Sequence, residues 1–116
     1  MKTSSCKAKG RRLQDDICKR LLEHYKGILE EGDLRVAIMG ESGSDIKRSP
    51  LATKVFPYAI EAKNQQKISI WAALQQAADN CPEGDKPVVI FKRNRSETYV
   101  TLKFDDFIDL LGDKAC

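Results

Sequence analysis

The 116-residue chain predicts a mixed α/β (α+β) domain, with one central mixed sheet of five strands flanked by helices. Three observations lead there. Apolar residues recur at helical spacing near both ends and in the middle of the chain. Between them lie short runs with period-two alternation, and Gly, Pro and Asn-rich turns separate the two kinds of pattern. The resulting order is α, β, β, β, α, β, β, α, which one sheet covered by helices satisfies economically.

Taken in order, residues 1–10 read as a flexible basic arm, ahead of a single domain spanning 11–112. A helix opens near Arg11, with Leu13, Ile17, Leu21, Tyr25 and Ile28 or Leu29 on one face. Asp15 and Asp16 lie near its N-terminal end, where the helix dipole favours anions. Gly32 is the expected C-cap. Strand one is Arg35–Met39, with Val36 and Ile38 on one face. Gly40 and Gly43 bracket a tight turn into a short strand, Ser44–Lys47, stopped by Ser49-Pro50. A connection through Phe56-Pro57 reaches strand three, Tyr58–Lys63. Ser69 is the expected N-cap of the next helix, striped by Ile70, Leu74, Ala77, Ala78 and Cys81 and ended by Pro82. Pro87–Phe91 reads as a buried strand. Tyr99–Phe104 returns it, and a short helix from Asp105 is expected to pack Phe107, Ile108, Leu110 and Leu111.

Size and composition exclude several classes. A chain of this length buries one core without metal or disulfide staples, and 41% hydrophobic with 32% charged residues is ordinary for a soluble domain. No apolar run reaches the roughly 20 residues of a membrane helix, and the N-terminus has no apolar segment of a secretory signal, so a cytoplasmic location is expected. Cys6, Cys18, Cys81 and Cys116 have no CxxC spacing, and the single histidine, His24, has no cysteine near it. Reduced thiols are therefore expected rather than a zinc site or disulfides. The net charge is only +3 but unevenly spread. Lys2, Lys7, Lys9, Arg11 and Arg12 precede any acid; Lys47, Arg48 and Lys54 crowd one turn, and Lys92, Arg93 and Arg95 another. Acids collect at Asp105, Asp106, Asp109 and Asp113. Such segregation suits a face that meets a polyanion.

Chemistry concentrates between Gly40 and Lys63. Period-two geometry in strand three puts Tyr58, Ile60 and Ala62 on one face and Glu61 and Lys63 on the other. With Asp45 from the preceding strand, two carboxylates and an ammonium then meet beside one phosphate. Phosphodiester hydrolysis needs a water nucleophile, charge neutralisation and help for the leaving oxygen, and a hard divalent cation on oxygen ligands supplies much of this. Asp45, Glu61 and the Ala62 carbonyl are the candidate ligands, and Lys63 the group that orients water and stabilises charge. Spacing alone leaves bland readings open: Asp45 as a turn residue bonding its own backbone, and Glu61 with Lys63 as a weak pair on an exposed sheet face. Ser42 and Ser44 either touch the phosphate or close the turn, and Gln76 either lines the cleft or faces solvent. Trp71 reads as core or dimer packing.

Several stretches together resemble a known family. They are Lys9-Gly10-Arg11-Arg12-Leu13-Gln14, Gly43-Ser44-Asp45-Ile46, Phe56-Pro57-Tyr58-Ala59-Ile60-Glu61-Ala62-Lys63-Asn64, Ile68-Ser69-Ile70-Trp71 and Gln75-Gln76. Over nearly the whole chain they are similar to the PD-(D/E)xK nucleases, and within these to the small phage- and archaeal-type Holliday junction resolvases. The resemblance implies a restriction-endonuclease-like domain in which Asp45 and Glu61 bind Mg²⁺, or Mn²⁺ in its place, and Lys63 assists the attacking water. It also implies a polar residue on the first helix. Many members carry glutamate there, whereas here the position is Gln14, an amide that cannot act as a base. One metal or two is thereby left open.

A resolvase of this kind implies a homodimer that nicks opposing strands of a four-way junction to leave 5′-phosphate ends, in the host cytoplasm if phage-encoded. The expected DNA-binding set is Lys2, Lys7, Lys9, Arg11, Arg12, Ser42, Ser44, Lys47 and Arg48. A general or repair-type nuclease on the same core, and a non-catalytic junction-binding module, are the competing readings.

Overall fold

The structure, a computed structural model, describes residues 3–112. Its first helix, α1 (Thr3–His24), begins at Thr3 rather than near Arg11, so the described part of the expected arm is helical. Residues 3–10 contain no proline and only one glycine, and nothing in them stops a helix from propagating upstream. The Asn64 side-chain amide also donates to the Lys9 carbonyl at 3.3 Å, tying this stretch to the sheet. The inward face is the predicted one, with Leu13, Ile17 and Cys18 buried and Leu21, Leu22 and Tyr25 packed beside them. The helix stops earlier than expected. Ile28 and Leu29 both donate to the Tyr25 carbonyl at 2.9 Å, and Gly27 takes a φ of 90°, open to glycine but strained for other residues. Gly32 lies instead in a 3-10 turn, Glu31–Asp33.

β1 (Leu34–Val36) and β2 (Ile46–Arg48) form an antiparallel pair with Val36 opposite Ile46 and Arg35 opposite Lys47. A second helix, α2 (Pro50–Val55), occupies what the sequence reading left as a connection. Ser49-Pro50 does end the strand, but it also starts this helix. The Ser49 hydroxyl accepts from the Ala52 amide at 3.1 Å and donates to Asp33 at 2.7 Å, and proline suits the first helical position because its missing N–H is not needed there. β3 (Tyr58–Asn64) runs parallel to β4 (Lys86–Lys92), and β5 (Tyr99–Leu102) returns antiparallel to β4. A parallel pair needs a crossover, which α3 (Ile70–Asp79) provides. α4 (Phe104–Leu110) closes the described chain.

The expected single five-stranded sheet is therefore two sheets, β1-β2 and β3-β4-β5. The break has a local cause. At the junction the Asp45 amide donates to the Ile60 carbonyl at 2.9 Å, but the next rung is made by a side chain: Asp45 Oδ2 accepts the Ala62 amide at 2.7 Å. A carboxylate takes the place of a backbone carbonyl, and the ladder does not continue past it.

Helices cover both faces of the three-stranded sheet. On one face α1 packs against Ile60 and Val88, with Ile46 and Ala52 completing the cluster. On the other, Ala73 and Ala77 of α3 close over Val89. Ile46, Ile60 and Val89 are the largest fully buried side chains, each worth about 1.5–3 kcal/mol relative to exposure. Cys18 is buried and Cys81 half-buried, as boundary residues should be, and both are free thiols. Burial, reinforced by nearby Asp15, pushes the Cys18 thiol up to about 11.

One packing expectation fails. Phe107, Ile108 and Leu110 remain exposed on α4, as do Leu111 just after it and Val100 on β5. Trp71 is 82% exposed at the start of α3, so of its two expected roles, core or dimer packing, the core is excluded. Among the described residues no helix is long and apolar enough to cross a membrane.

β2 is anchored from behind by Arg48. Its guanidinium is buried, 2.6 Å from Asp85 and 2.9 Å from the Phe56 carbonyl. Removing one partner of such a pair strands a desolvated charge. Asp85→Ala is accordingly expected to destabilise the fold by about 3 kcal/mol, read as a fall in the urea midpoint at unchanged slope.

Candidate active site

Asp45 is placed by a turn that permits little movement. Gly40 and Gly43 adopt φ of 85° and 93°, and a Cβ on Gly43 would meet the Lys47 ammonium at 2.8 Å. That ammonium donates to the Ser42 carbonyl. Ser44 is buried and donates to the Ile46 carbonyl at 3.1 Å, so its hydroxyl closes the turn instead of facing a phosphate. Asp45 then bonds on three sides. Its carbonyl accepts from Ala37 at 2.8 Å, its amide donates to Ile60, and its carboxylate holds the Ala62 amide.

β3 supplies the other groups with the predicted alternation. Tyr58, Ile60 and Ala62 join the α1-side core. Glu61 stands on the opposite face, where its register partner Val89 is fully buried. It is 3% exposed, so the exposed-face reading of this residue fails. One oxygen, Oε2, lies 3.3 Å from the Lys63 ammonium, while Oε1 is buried with no hydrogen-bond partner. Burial, then the nearby Asp45 charge, push the Glu61 carboxyl above its ordinary 4.5. Lys63, and to a smaller degree the Asn80 amide, pull it back.

Lys63 also donates to Gln76 Oε1 at 2.9 Å. The sequence leaves Gln76 either lining the cleft or facing solvent, and nothing in it singles out Asn80 on its own. Their signal was the i, i+4 spacing on α3. The means is the small side chains of Ala73 and Ala77, which bring the helix close to β3.

Two carboxylates and a backbone oxygen converge here. The N–H and C=O of one strand residue leave on the same edge. The Ala62 N–H goes to Asp45, so its carbonyl also leaves on the Asp45 side, away from β4. Among the described residues no three His, Cys, Asp or Glu side chains gather into a metal cluster. A cation held here would rest on Asp45, Glu61, the Ala62 carbonyl and water. That donor set is all oxygen and leaves room for several waters, which suits Mg²⁺. The orphaned, buried Glu61 Oε1 is the observation that fits a cation best, since an unpartnered carboxylate oxygen in a dry setting is costly.

Other expected residues are dispersed. Gln14 is half-buried on α1 beside Leu13, on the helix covering the sheet face opposite Glu61, and no hydrogen bond joins it to Asp45, Glu61 or Lys63. Lys2 lies outside the described residues. Lys7, Arg11 and Arg12 are exposed along α1, and Ser42 is exposed in the turn. Lys9 and Gly10 line a cavity of about 390 Å³ shared with Ala62, Lys63 and Lys67, which makes Lys67 a basic neighbour that sequence reasoning missed. Lys47 braces the turn. Arg48 is withdrawn from any basic surface by its buried pair with Asp85.

Comparison of this chain with family models, with curated proteins and with solved structures finds no match.

Two substitutions separate the hydrogen bond of Asp45 from its charge. Asp45→Asn keeps an oxygen for the Ala62 amide and is expected to fold with near-parental stability, whereas Asp45→Ala leaves a half-buried donor unmet and costs about 1 kcal/mol, read by urea denaturation. Glu61 gives a pH signature in metal-free protein. Its folded carboxyl holds the proton above 4.5, where the unfolded chain has begun to release it, so its stability contribution is complete below that pH and is lost as pH rises through the folded value. Glu61→Gln escapes this loss. With chelator present, its melting temperature relative to the parent is expected to rise between pH 4 and pH 7.5; a constant difference would contradict a buried, charge-averse Glu61.

Proposed function

We propose that this chain is a metal-dependent, structure-selective endodeoxyribonuclease that resolves four-way DNA junctions by paired nicking, within the PD-(D/E)xK nucleases that its sequence resembles. The observation that carries the reading is the meeting of Asp45, Glu61 and Lys63. A turn residue and residues of β3 converge through a 2.7 Å bond from Ala62 to Asp45 and a 3.3 Å approach of Lys63 to Glu61. A buried carboxylate with an empty oxygen is expensive to maintain and is the kind of feature that functional sites retain.

In this reading Mg²⁺, or Mn²⁺ in its place, is held by Asp45, Glu61 and the Ala62 carbonyl, and supplies Lewis-acid polarisation of the phosphate and of water. The chain's own groups do the rest. Lys63, held between Glu61 and Gln76, presents its ammonium to the attacking water and the phosphate oxygens. Water adds to phosphorus, the P–O3′ bond breaks, and the strand is left with a 5′-phosphate and a 3′-hydroxyl. The basic residues Lys7, Lys9, Arg11 and Arg12 with Lys67 offer phosphate contacts that read backbone rather than sequence. Gln14, unconnected to the trio, favours a single cation. A homodimer would pair two such sites, and the exposed apolar residues of β5 and α4 are a surface on which a second copy could bury area.

The test is a synthetic four-way junction against linear duplex of the same sequence. Mg²⁺-dependent nicking is expected to favour the junction, and Asp45→Asn or Glu61→Gln to lower cleavage at least about 100-fold with junction binding retained. Equal cutting of both substrates would point to a general or repair-type nuclease, and binding without cutting under Mg²⁺ and Mn²⁺ to a non-catalytic module. Parental rates in either variant would refute the site.

A further inference from the structure

Beyond the candidate site, the turn that carries Asp45 ends in a feature the chemistry leaves unused. Ile38 is 68% exposed and Met39 82%, and they are adjacent. Single exposed apolar residues are commonplace, but a neighbouring pair at the tip of a braced turn is not explained by folding.

The bracing is extensive. Arg35 grips Glu41 with both nitrogens, at 2.9 and 2.8 Å. Glu41 Oε1 also accepts the Ile38 amide at 3.0 Å, and the Glu41 amide returns a bond to the Ile38 carbonyl at 3.0 Å. Ile38 is thus fixed through both backbone groups. These donors hold the Glu41 carboxyl at about 2, so the clamp persists across physiological pH. The ordering entropy of the tip has been met on folding and need not be met again on binding.

Position supplies the partner. The Ala37 amide donates to the Asp45 carbonyl at 2.8 Å, so the tip starts at the residue paired with the candidate metal ligand. Ile38 and Met39 follow directly on that residue and are exposed, which puts them within reach of a strand whose phosphate lies at Asp45. Charge does not oppose this, since Glu41 is neutralised by Arg35 and Lys47 stands at the base of the turn. Two side chains supply only a small part of the roughly 800 Å² per partner that specific protein interfaces bury, which argues against a second copy here. They are the right size and kind to enter one base step, as Ile and Met wedges do.

We propose that Ile38 and Met39 form a wedge that inserts between bases at the branch point of junction DNA, next to the phosphate held at Asp45. This rests on the nuclease reading and deepens it, because unpaired or weakly stacked steps are where insertion costs least. Selectivity for branched substrate then comes from the tip as well as from backbone shape.

The experiment places 2-aminopurine at the branch of a four-way junction and, separately, in linear duplex, with EDTA present so that binding is read without cleavage. The parental protein is expected to raise fluorescence severalfold at the branch and little in duplex. The Ile38→Ala, Met39→Ala double variant should lose most of that rise and cut the junction at least about tenfold more slowly in Mg²⁺, while Met39→Leu keeps both. Both side chains are exposed, so the fold is not at risk. An equal rise with the double variant overturns the wedge. Cleavage of the junction by the parent without a fluorescence change overturns the wedge and leaves the nuclease reading standing. A rise without cleavage leaves the wedge and removes the nuclease, and failure to bind the junction removes both.

Discussion

Much of this molecule depends on how Asp45 distributes its hydrogen bonds. Its carbonyl joins the turn at Ala37, its amide reaches Ile60, and its carboxylate replaces a ladder carbonyl against Ala62. The two sheets are held together at this residue, and both candidate elements of chemistry hang from it. Because the side chain accepts the Ala62 amide, the Ala62 carbonyl is directed to the same edge and Glu61 to the face beyond. The geometry that makes a cation site plausible is thus the geometry that keeps β2 against β3. Structural and chemical demands on one residue usually compete; here the same carboxylate oxygen serves the first while leaving the other oxygen free for the second.

The opposite side of the site shows the cost of a carboxylate in a dry place. Glu61 is buried with one oxygen unmet, offset chiefly by Lys63, which stands 3.3 Å from the other. Lys63 is in turn steadied by Gln76. That arrangement needs α3 close to the sheet, and Ala73 and Ala77 provide the closeness. Larger residues at those two positions would repack the core and move the amides off Lys63 and Glu61, so small side chains in the core set the geometry of the candidate site.

The candidate trio was legible in the sequence because β3 obeys a simple alternation, and a strand's faces follow from period two without knowledge of its neighbours. The inward face of α1 was legible for a similar reason, and that of α3 in part: Ala77 lies on the expected stripe, but buried Ala73 does not and Ala78 is exposed. What escaped notice depended on tertiary partners. Ser49-Pro50 reads equally as a strand stop or a helix start, and only Asp33, reaching the Ser49 hydroxyl, helps fix which. Arg48 looks like its basic neighbours until Asp85, distant in sequence, buries it. Ile38 continues the apparent alternation of strand one, yet the Arg35–Glu41 clamp turns it outward. The single sheet failed for a subtler reason, since nothing in a sequence says that a side chain will stand in for a backbone rung. α4 shows the limit of pattern reading, because an amphipathic stretch announces that it wants a cover without saying whether the same chain provides one.

The bond between Asp45 and the Ala62 amide has a further use. An amide proton held by a carboxylate is deshielded and slow to exchange, and both properties track the charge on that carboxylate. Anything that draws electron density from Asp45, a divalent cation above all, will alter the Ala62 amide even though the amide binds nothing itself. The seam between the sheets therefore carries its own spectroscopic probe, readable one residue at a time in solution and free of any requirement that the chain act on a substrate.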